Sequence, residues 1–450
     1  MSSPSLSSPA EKTAYKLLVC LRLLAIYQTL RSAKPDVYIQ WEEDEERDKS
    51  IRDLETRIYL AWKEFIEEGR VGDDIHACLW TAFPLEDGEA PRARVVDFLA
   101  LADSPPSLLS HSLVSLSFSH SWKFGRHGPL ANTLLGRLAQ QYDELATPRG
   151  LHFIDFVIQL GYLALLIHYI LRPPDRPILT LNDHRVDARA VALIVYSFAS
   201  ICRASSAYIV PSLLVFVSFI YCLPAFPYAG ESPYIFLLAS LVLHIVSLHL
   251  PIAPGLNFIK PPRQSLPLAT LLWTEFTTTF STILLFYFPA FLLASYLLSI
   301  ALADSIPQGP DPDAFRLLAA PMETRQGFVA LWIVIFLLII VSTGQLIIFK
   351  SSSISSDQPS DPWDRYSKSV GLRARRIFIR ALADYSTPYF FPVPFNLLQV
   401  LLIRLPAGVL HWTAGVKLRV VHHAEAVLWR FTVGPIAMLV EGICLIWRWS

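Results

Sequence analysis

Two apolar stretches of this chain carry the residues best suited to chemistry. The first, "LATLLWTEFTTTFSTILLFYFPAFLLASYLLSIAL" (268–302), holds Trp273, Glu275, Thr277, Thr278, Thr279, Ser281 and Thr282. The second, "GFVALWIVIFLLIIVSTGQLIIF" (327–349), ends on Ser342, Thr343, Gly344 and Gln345. Hydroxyls and a carboxylate facing hydrocarbon are costly, so such groups turn toward other helices or toward water. Polar stripes on two successive helices suit a water-lined path for ions, with Ser342, Thr343 and Gln345 lining it. Ordinary interhelical hydrogen bonding leaves the same pattern. Between the two stretches lies "ADSIPQGPDPDAFRLLAAPMETRQ" (303–326), with Asp304, Asp311, Asp313 and Glu323. A ring of carboxylates is one way to build a cation-selective mouth; a solvated loop has the same composition.

Other chemistry is missing from the sequence. There is no Gly-rich phosphate loop, GxSxG, HExxH or pair of carboxylates at catalytic spacing, so no catalytic residues, metal site or cofactor are expected. His422, His423 and Glu425 make a poor ligand set, because adjacent histidines diverge on a helix. The five cysteines are scattered without a CxxC and outline neither a disulfide framework nor a zinc site. His168, His244 and His249 lie in or beside apolar helices. They read either as functional groups or as neutral rings bonded to neighbouring carbonyls.

These groups must be positioned by membrane helices. Hydrophobic residues make up 53% of the 450 and charged residues 17%, with mean hydropathy +0.41. That balance is not one of an ordinary soluble domain, and a net charge of zero gives no sign of a nucleic-acid partner. Apolar runs of about 20 residues span a bilayer. They occur at 152–172, 188–202, 208–226, 234–252, 268–302 and 327–349, the fifth being long enough to break at Pro289. The expected fold is all-α and polytopic, with about six spans. It divides into a cytosolic helical region (1–150), a membrane domain (151–350) and a cytosolic or interfacial C-terminal region (351–450). The N-terminus shows no cleavable signal pattern. In the first region Ala14, Leu17, Leu18, Leu21, Leu24 and Ala25 follow helical spacing, as do Ile51, Leu54, Ile58, Trp62 and Phe65, with Gly69 as a stop. Residues 101–125, rich in Ser, His and Pro, read as a loop. The fourth span carries no Arg or Lys, so voltage-sensor arginines are not expected to drive any gate.

The tail "DPWDRYSKSVGLRARRIFIRALADYSTPYFFPVPFNLLQVLLIRLP" and the later "AVLWRFTVGPIAMLVEGI" resemble those of the fungal vacuolar TRP-type cation channels. The matching box is Pro392, Pro394, Phe395, Asn396, Leu397 and Leu398, followed by Gly434, Pro435 and Ile436 through Glu441. The resemblance implies a divergent channel, non-selective or calcium-permeable, in an internal membrane such as the vacuole, with the plasma membrane or ER as alternatives. It also implies a homotetramer in the lipid bilayer, with calcium or monovalent cations as permeant ions, no enzyme activity and no nucleic-acid partner. The loop before the sixth span departs from the family pattern, being short and Pro-rich, and the sixth span ends "STGQLIIF". A non-conducting scaffold or regulatory subunit of the same ancestry is the alternative. Under either reading, the prolines turn the tail sharply. The tail then packs on the cytosolic region or lies at the membrane face, with Asn396 satisfying backbone groups that the prolines free.

Overall fold

The computed structural model describes residues 8–32, 40–69, 72–84, 92–101, 103–125, 133–172, 187–203, 206–222, 227, 232–302, 322–352, 361–414 and 421–449. Within them the fold is helical; the strands are the two-residue pair Phe83–Pro84 and Arg92–Ala93. The fold is all-α as expected, but among the described residues two helices are long and apolar enough to cross a membrane, or three if the bent pair Pro262–Thr278 and Ile283–Ser299 is one span, against the six spans read from the apolar runs. The chain divides into two compact units, Met1–Leu266 with Leu372–Ser450, and Pro267–Gly371.

The first unit opens with α1 (Pro9–Ser32) laid along α2 (Gln40–Glu67). Ala14, Leu17, Leu18, Leu21 and Leu24 are buried on one side, and Ile51, Leu54, Ile58, Trp62 and Phe65 on the other. α2 stops at Gly69, whose φ of 70° is a left-handed conformation that costs glycine nothing. Then come α3 (Gly72–Trp80), α4 (Val95–Leu99), α5 (Pro106–Leu109) and α6 (Ser112–Phe124). The expected loop at 101–125 is therefore mostly helix. Pro106 sits at the start of α5, and the His111 ring accepts the Leu113 amide to cap α6. α6 buries Val114, Phe118, Ser121 and Trp122, a helical stripe hidden in polar composition. α7 (Leu134–Glu144) leads to the bundle.

That bundle is α8 (Pro148–Leu171), α9 (Ala188–Cys202), α10 (Ser206–Tyr221) and α11 (Ser232–His249), each packed on the next and α11 back on α8. Its core holds Tyr162, Leu166, Tyr169, Leu193, Tyr196 and Phe219. Its outer faces expose Val195, Phe198, Val217 and Val242, as lipid contact requires. By length and apolarity, Pro9–Leu30 and Pro148–Leu171 each suffice to cross a membrane, while α9, α10 and α11 are shorter apolar helices. His244 and His249 bond the carbonyls of Ser240 and Ile245, one turn back.

The second unit contains most of α12 (Pro262–Glu275), a π-helical stretch Phe276–Phe280, α13 (Ser281–Leu302) and α14 (Met322–Ser352). The long fifth run bends by 62° between Pro262–Thr278 and Ile283–Ser299, not at Pro289, which sits inside α13. The break falls where the Thr277 hydroxyl donates to the Trp273 and Thr274 carbonyls and the Thr278 hydroxyl donates to the Thr274 carbonyl. Hydroxyls that bond the preceding turn compete with the helix ladder and bend it. α13 packs on α14 through Ile283, Ala294, Ile335 and Ile339, and the Trp332 indole donates to Ser295 at 3.1 Å.

The C-terminal part of the first unit holds α15 (Lys368–Tyr385), α16 (Asn396–Gln399), a second π stretch Val400–Arg404, α17 (Leu405–Ala414) and α18 (Val421–Trp449). Pro406 has no N–H to give the Leu402 carbonyl, and next to it the Leu405 amide reaches five residues back to Val400.

Candidate functional site

A run of buried polar side chains crosses one end of the four-helix bundle. Asp155 lies two turns into α8 and is 1% exposed. Its Oδ2 accepts from the Arg203 guanidinium at 2.6 Å and from the Tyr385 hydroxyl at 2.8 Å. Arg203 is the residue that ends α9, and Tyr385 is the last residue of α15. Three elements far apart in sequence thus meet at one carboxylate. The guanidinium also lies 4.8 Å above the Phe390 ring. Burial pushes the Tyr385 hydroxyl well above its ordinary range, so it stays a neutral donor.

Around this centre the bonds continue inward. The Tyr196 hydroxyl donates to Gln159 Oε1 at 2.5 Å, and the Tyr196 ring stacks on Tyr162 with centroids 4.1 Å apart. Tyr162 bonds Ser197, Ser212 donates to Ser200, and the Tyr208 hydroxyl donates to the Pro254 carbonyl. A cavity of about 10 Å³ lies among Asp155, Gln159, Tyr196, Ser200, Arg203 and Tyr208. That is close to the smallest space a single water needs, about 10–15 Å³. The arrangement is one of charge neutralisation and mechanical linkage; it has no room for an organic ligand.

An aromatic cluster sits beside it. His152 Nε2 accepts the Gly255 amide at 3.3 Å, which ties the segment after α11 to α8. Trp122 of α6 packs within 6.2 Å of His152, Phe258, Phe378 and Tyr385. α6, the first bundle helix, the segment after the fourth and the helix after α14 therefore share one core. α15 is further held by Arg376, which donates to Ser104, and Arg380, which donates to the Ala100 carbonyl.

The Pro-bounded tail joins this site from the other side. Pro392 and Val393 are buried, Pro394 and Phe395 are half-buried, and Val393 and Leu397 enter the bundle core. The Asn396 side-chain amide donates to the Ala199 carbonyl of α9 at 2.7 Å, while the backbone Asn396 N–H bonds the Pro392 carbonyl. The asparagine side chain thus reaches across to another helix, and its backbone N–H closes its own turn.

α18 then crosses α7 and the start of α8. Arg430 donates twice to Asp143, at 2.9 and 2.7 Å, the Tyr142 hydroxyl donates to the Arg430 carbonyl, and Thr147, the N-cap of α8, bonds Glu441. Gly434 lies under the Tyr142 ring, where a Cβ would come within 2.5–2.9 Å of ring atoms and hydroxyl. A larger cleft, about 1150 Å³, opens among α3, α6, α7 and α18, walled by Trp80, Tyr389, Phe390 and Trp429, with Asp73 and Glu144 in its lining.

The residues singled out for conduction fall elsewhere. Ser342, Thr343 and Gln345 lie on α14 and Glu323 lies in its first turn, but their side chains are outside the described set. Asp304, Asp311 and Asp313 lie outside the described residues. Glu275 is buried, and the Thr277 and Thr278 hydroxyls are spent on their own helix. Among the described residues no group of three His, Cys, Asp or Glu could hold a metal ion. His422 and His423 have ring centroids 6.5 Å apart, and Glu425 accepts from Gln399 and Arg404. Sequence reasoning passed over Asp155, Arg203 and Tyr385. The available signal was a carboxylate inside an apolar helix and an arginine at the end of the next.

No protein-family profile matches the chain, and no curated protein matches it in sequence. Two solved structures align with it over 96% of its length. One is the thermo-sensitive TRP channel TRP1 from the alga Chlamydomonas reinhardtii in nanodiscs, at 14% identity and a TM-score of 0.46. The other is full-length TRPY1 in detergent with PI3P and calcium bound, at 11% identity and a TM-score of 0.44. The chain spans 64% of the algal channel's length and 80% of TRPY1's.

Proposed function

We propose that this chain is the subunit of a TRP-type cation channel in which the polar centre links the bundle to the helix that follows α14. The observation that carries the reading is Asp155 accepting from both Arg203 and Tyr385. A channel of this design needs the helix after its last membrane helix held to a fixed scaffold, so that a change in the scaffold reaches the gate. A buried carboxylate shared by α8, the end of α9 and the end of α15 supports that role. The Trp122 cluster adds α6 and the segment after α11. The bundle interior is charge-compensated at Asp155, and α11 carries no Arg or Lys. Voltage-sensor arginines on α11 therefore do not drive the gate.

In this reading Ser342, Thr343 and Gln345 line the path, and Asp304, Asp311, Asp313 and Glu323 form an acidic mouth. Four copies surround one pore in an internal membrane, the vacuole first, and the permeant ions are calcium or monovalent cations. The test is single-channel recording on the purified full chain in liposomes, with calcium and potassium gradients. Unitary cation currents altered by Gln345→Leu, or by Asp311→Ala with Asp313→Ala, are expected. Silence from folded protein under cytosolic calcium and membrane stretch would transfer the reading to a non-conducting scaffold of the same architecture.

A further inference from the structure

The cleft of about 1150 Å³ among α3, α6, α7 and α18 is acidic and aromatic. Its carboxylates are Asp73, Asp143 and Glu144, and among the described residues no Lys or Arg lines it. Its rings include Trp80, Tyr389, Phe390 and Trp429, and Leu116, 67% exposed, lies bare on the α6 wall. These residues all belong to the first unit. The volume is slightly above the roughly 300–1,000 Å³ of a typical small-molecule pocket. The end of α7 departs from ordinary helix chemistry. Asp143 and Glu144 close that helix, and its last turn holds no basic residue. A helix C-terminus carries partial negative charge, so carboxylates there are unfavourable and a cation is favoured. Arg430 brings one cation, to Asp143. Asp73 adds a further carboxylate from the first turn of α3.

The protein's own contacts show what these walls accept. Arg430 lies 5.9 Å over the Tyr389 ring, Arg94 5.4 Å over Trp80 and Arg203 4.8 Å over Phe390. Each guanidinium also meets a carboxylate, Asp143, Asp97 and Asp155 in turn, at 2.7, 2.7 and 2.6 Å. Those internal cations are matched one for one, and none of the matching carboxylates is Asp73 or Glu144. Glu144 accepts from the Gln140 amide, a neutral donor. An anion in the cleft would meet carboxylates and no lining Lys or Arg. A metal ion needs clustered ligands, and among the described residues no group of three His, Cys, Asp or Glu could hold one. An ammonium group on an apolar or aromatic body suits rings, carboxylates and Leu116 together. We propose that this cleft binds a small organic ammonium ion, its cationic head held by the carboxylates and ring faces and its body lying on Leu116. A free amine and the choline headgroup of a lipid share that chemistry. Occupancy braces Tyr389 and Phe390, and Phe390 lies under Arg203 of the polar centre. The ligand thereby acts on the contact that holds α15.

The binding itself does not depend on conduction, so its test is a titration. Tyramine, an aromatic ammonium ion at neutral pH, is titrated calorimetrically into the full chain in phosphatidylglycerol nanodiscs, with empty nanodiscs as the blank. 4-Propylphenol, in which a methyl group replaces the ammonium, is the neutral match. Tyramine is expected to bind about tenfold tighter, the ratio given by about 1.4 kcal/mol. Asp73→Asn with Glu144→Gln should abolish that preference and leave 4-propylphenol unmoved. Asp73→Asn alone, at an exposed position, should lower the preference about threefold, as an exposed charge contact gives. It decides the matter where Glu144→Gln disturbs α7. Leu116→Asn should weaken both probes equally, because the body contact alone is lost. Displacement of tyramine by glycerophosphocholine would identify a lipid headgroup as the source, and tyramine binding without displacement a free amine; either supports the site. Equal affinity for the two probes, an unchanged preference in the Asp73 and Glu144 variants, or no saturable tyramine binding would overturn the proposal.

Discussion

Tyr385→Phe removes one hydroxyl and leaves everything else at the polar centre in place. In the wild type that hydroxyl donates to Asp155 Oδ2 at 2.8 Å, and Asp155 is 1% exposed, so the bond is shielded from bulk solvent. Hydrogen bonds to charged groups contribute about 1.5–3 kcal/mol. Arg203 remains on the same oxygen at 2.6 Å. The expected cost is therefore about 2 kcal/mol, near the middle of that range. Asp155→Asn is harsher, because it strands the Arg203 charge; breaking a buried pair costs about 3–5 kcal/mol. The double variant should cost about 1–2 kcal/mol less than the sum, since a neutral acceptor has already weakened the tyrosine bond. The cycle is measured by denaturant titration of the purified chain, followed by tryptophan fluorescence. If the contact also differs between closed and open states, about 2 kcal/mol changes the open-to-closed ratio by roughly thirtyfold. A Tyr385→Phe variant within about 0.5 kcal/mol of wild type, or additive costs, would show that the three-way contact carries no energy. The linkage argued from it would then fail.

Other consequences can be checked separately. Gly434→Ala drives a Cβ to within 2.5 Å of the Tyr142 hydroxyl and should cost about 1–3 kcal/mol by overpacking; Tyr142→Ala in the same chain should restore part of it, and loss of proteolytic protection in 421–449 is the readout. Cys78 is fully buried and its thiol is pushed up to about 12. Maleimide should leave it unmodified in folded protein at pH 8 and modify it on unfolding; rapid native labelling would contradict the burial. The linkage sign follows: the unfolded thiol ionises near pH 9 while the folded one keeps its proton to about 12. This group's contribution is thus complete below pH 9 and lost above it, by at most about 1.4 kcal/mol per pH unit. Asn396→Leu removes the bond to the Ala199 carbonyl and should cost about 1–3 kcal/mol through that buried, unsatisfied acceptor, with hydrogen exchange rising at residues 199–203.

Much of this architecture was readable because it obeys simple periods. The buried positions of α1 and α2 recur at helical spacing, and the apolar runs give the bundle helices to within a few residues. The break in the fifth run was not readable from proline alone. Pro289 is tolerated inside α13, while threonines bonding back to their own carbonyls mark the bend. α6 escaped because Ser and His dominate its composition while Val114, Phe118 and Trp122 supply its buried face. The polar centre escaped for a different reason. Asp155, Arg203 and Tyr385 are 48 and 230 residues apart in their pairings, and no local pattern reports a contact made by tertiary packing.

The π stretch at Phe276–Phe280 has a geometric consequence of its own. Relative to a regular helix, it inserts one surplus residue between α12 and α13. Absorbing that residue into ordinary α-helix would turn every side chain of α13 by about 100° around the axis and advance it by about 1.5 Å. A different row of α13 side chains would then face α14 in place of Ile283 and Ala294, without unfolding a single turn. Five residues thus place a screw thread in the middle of this helix.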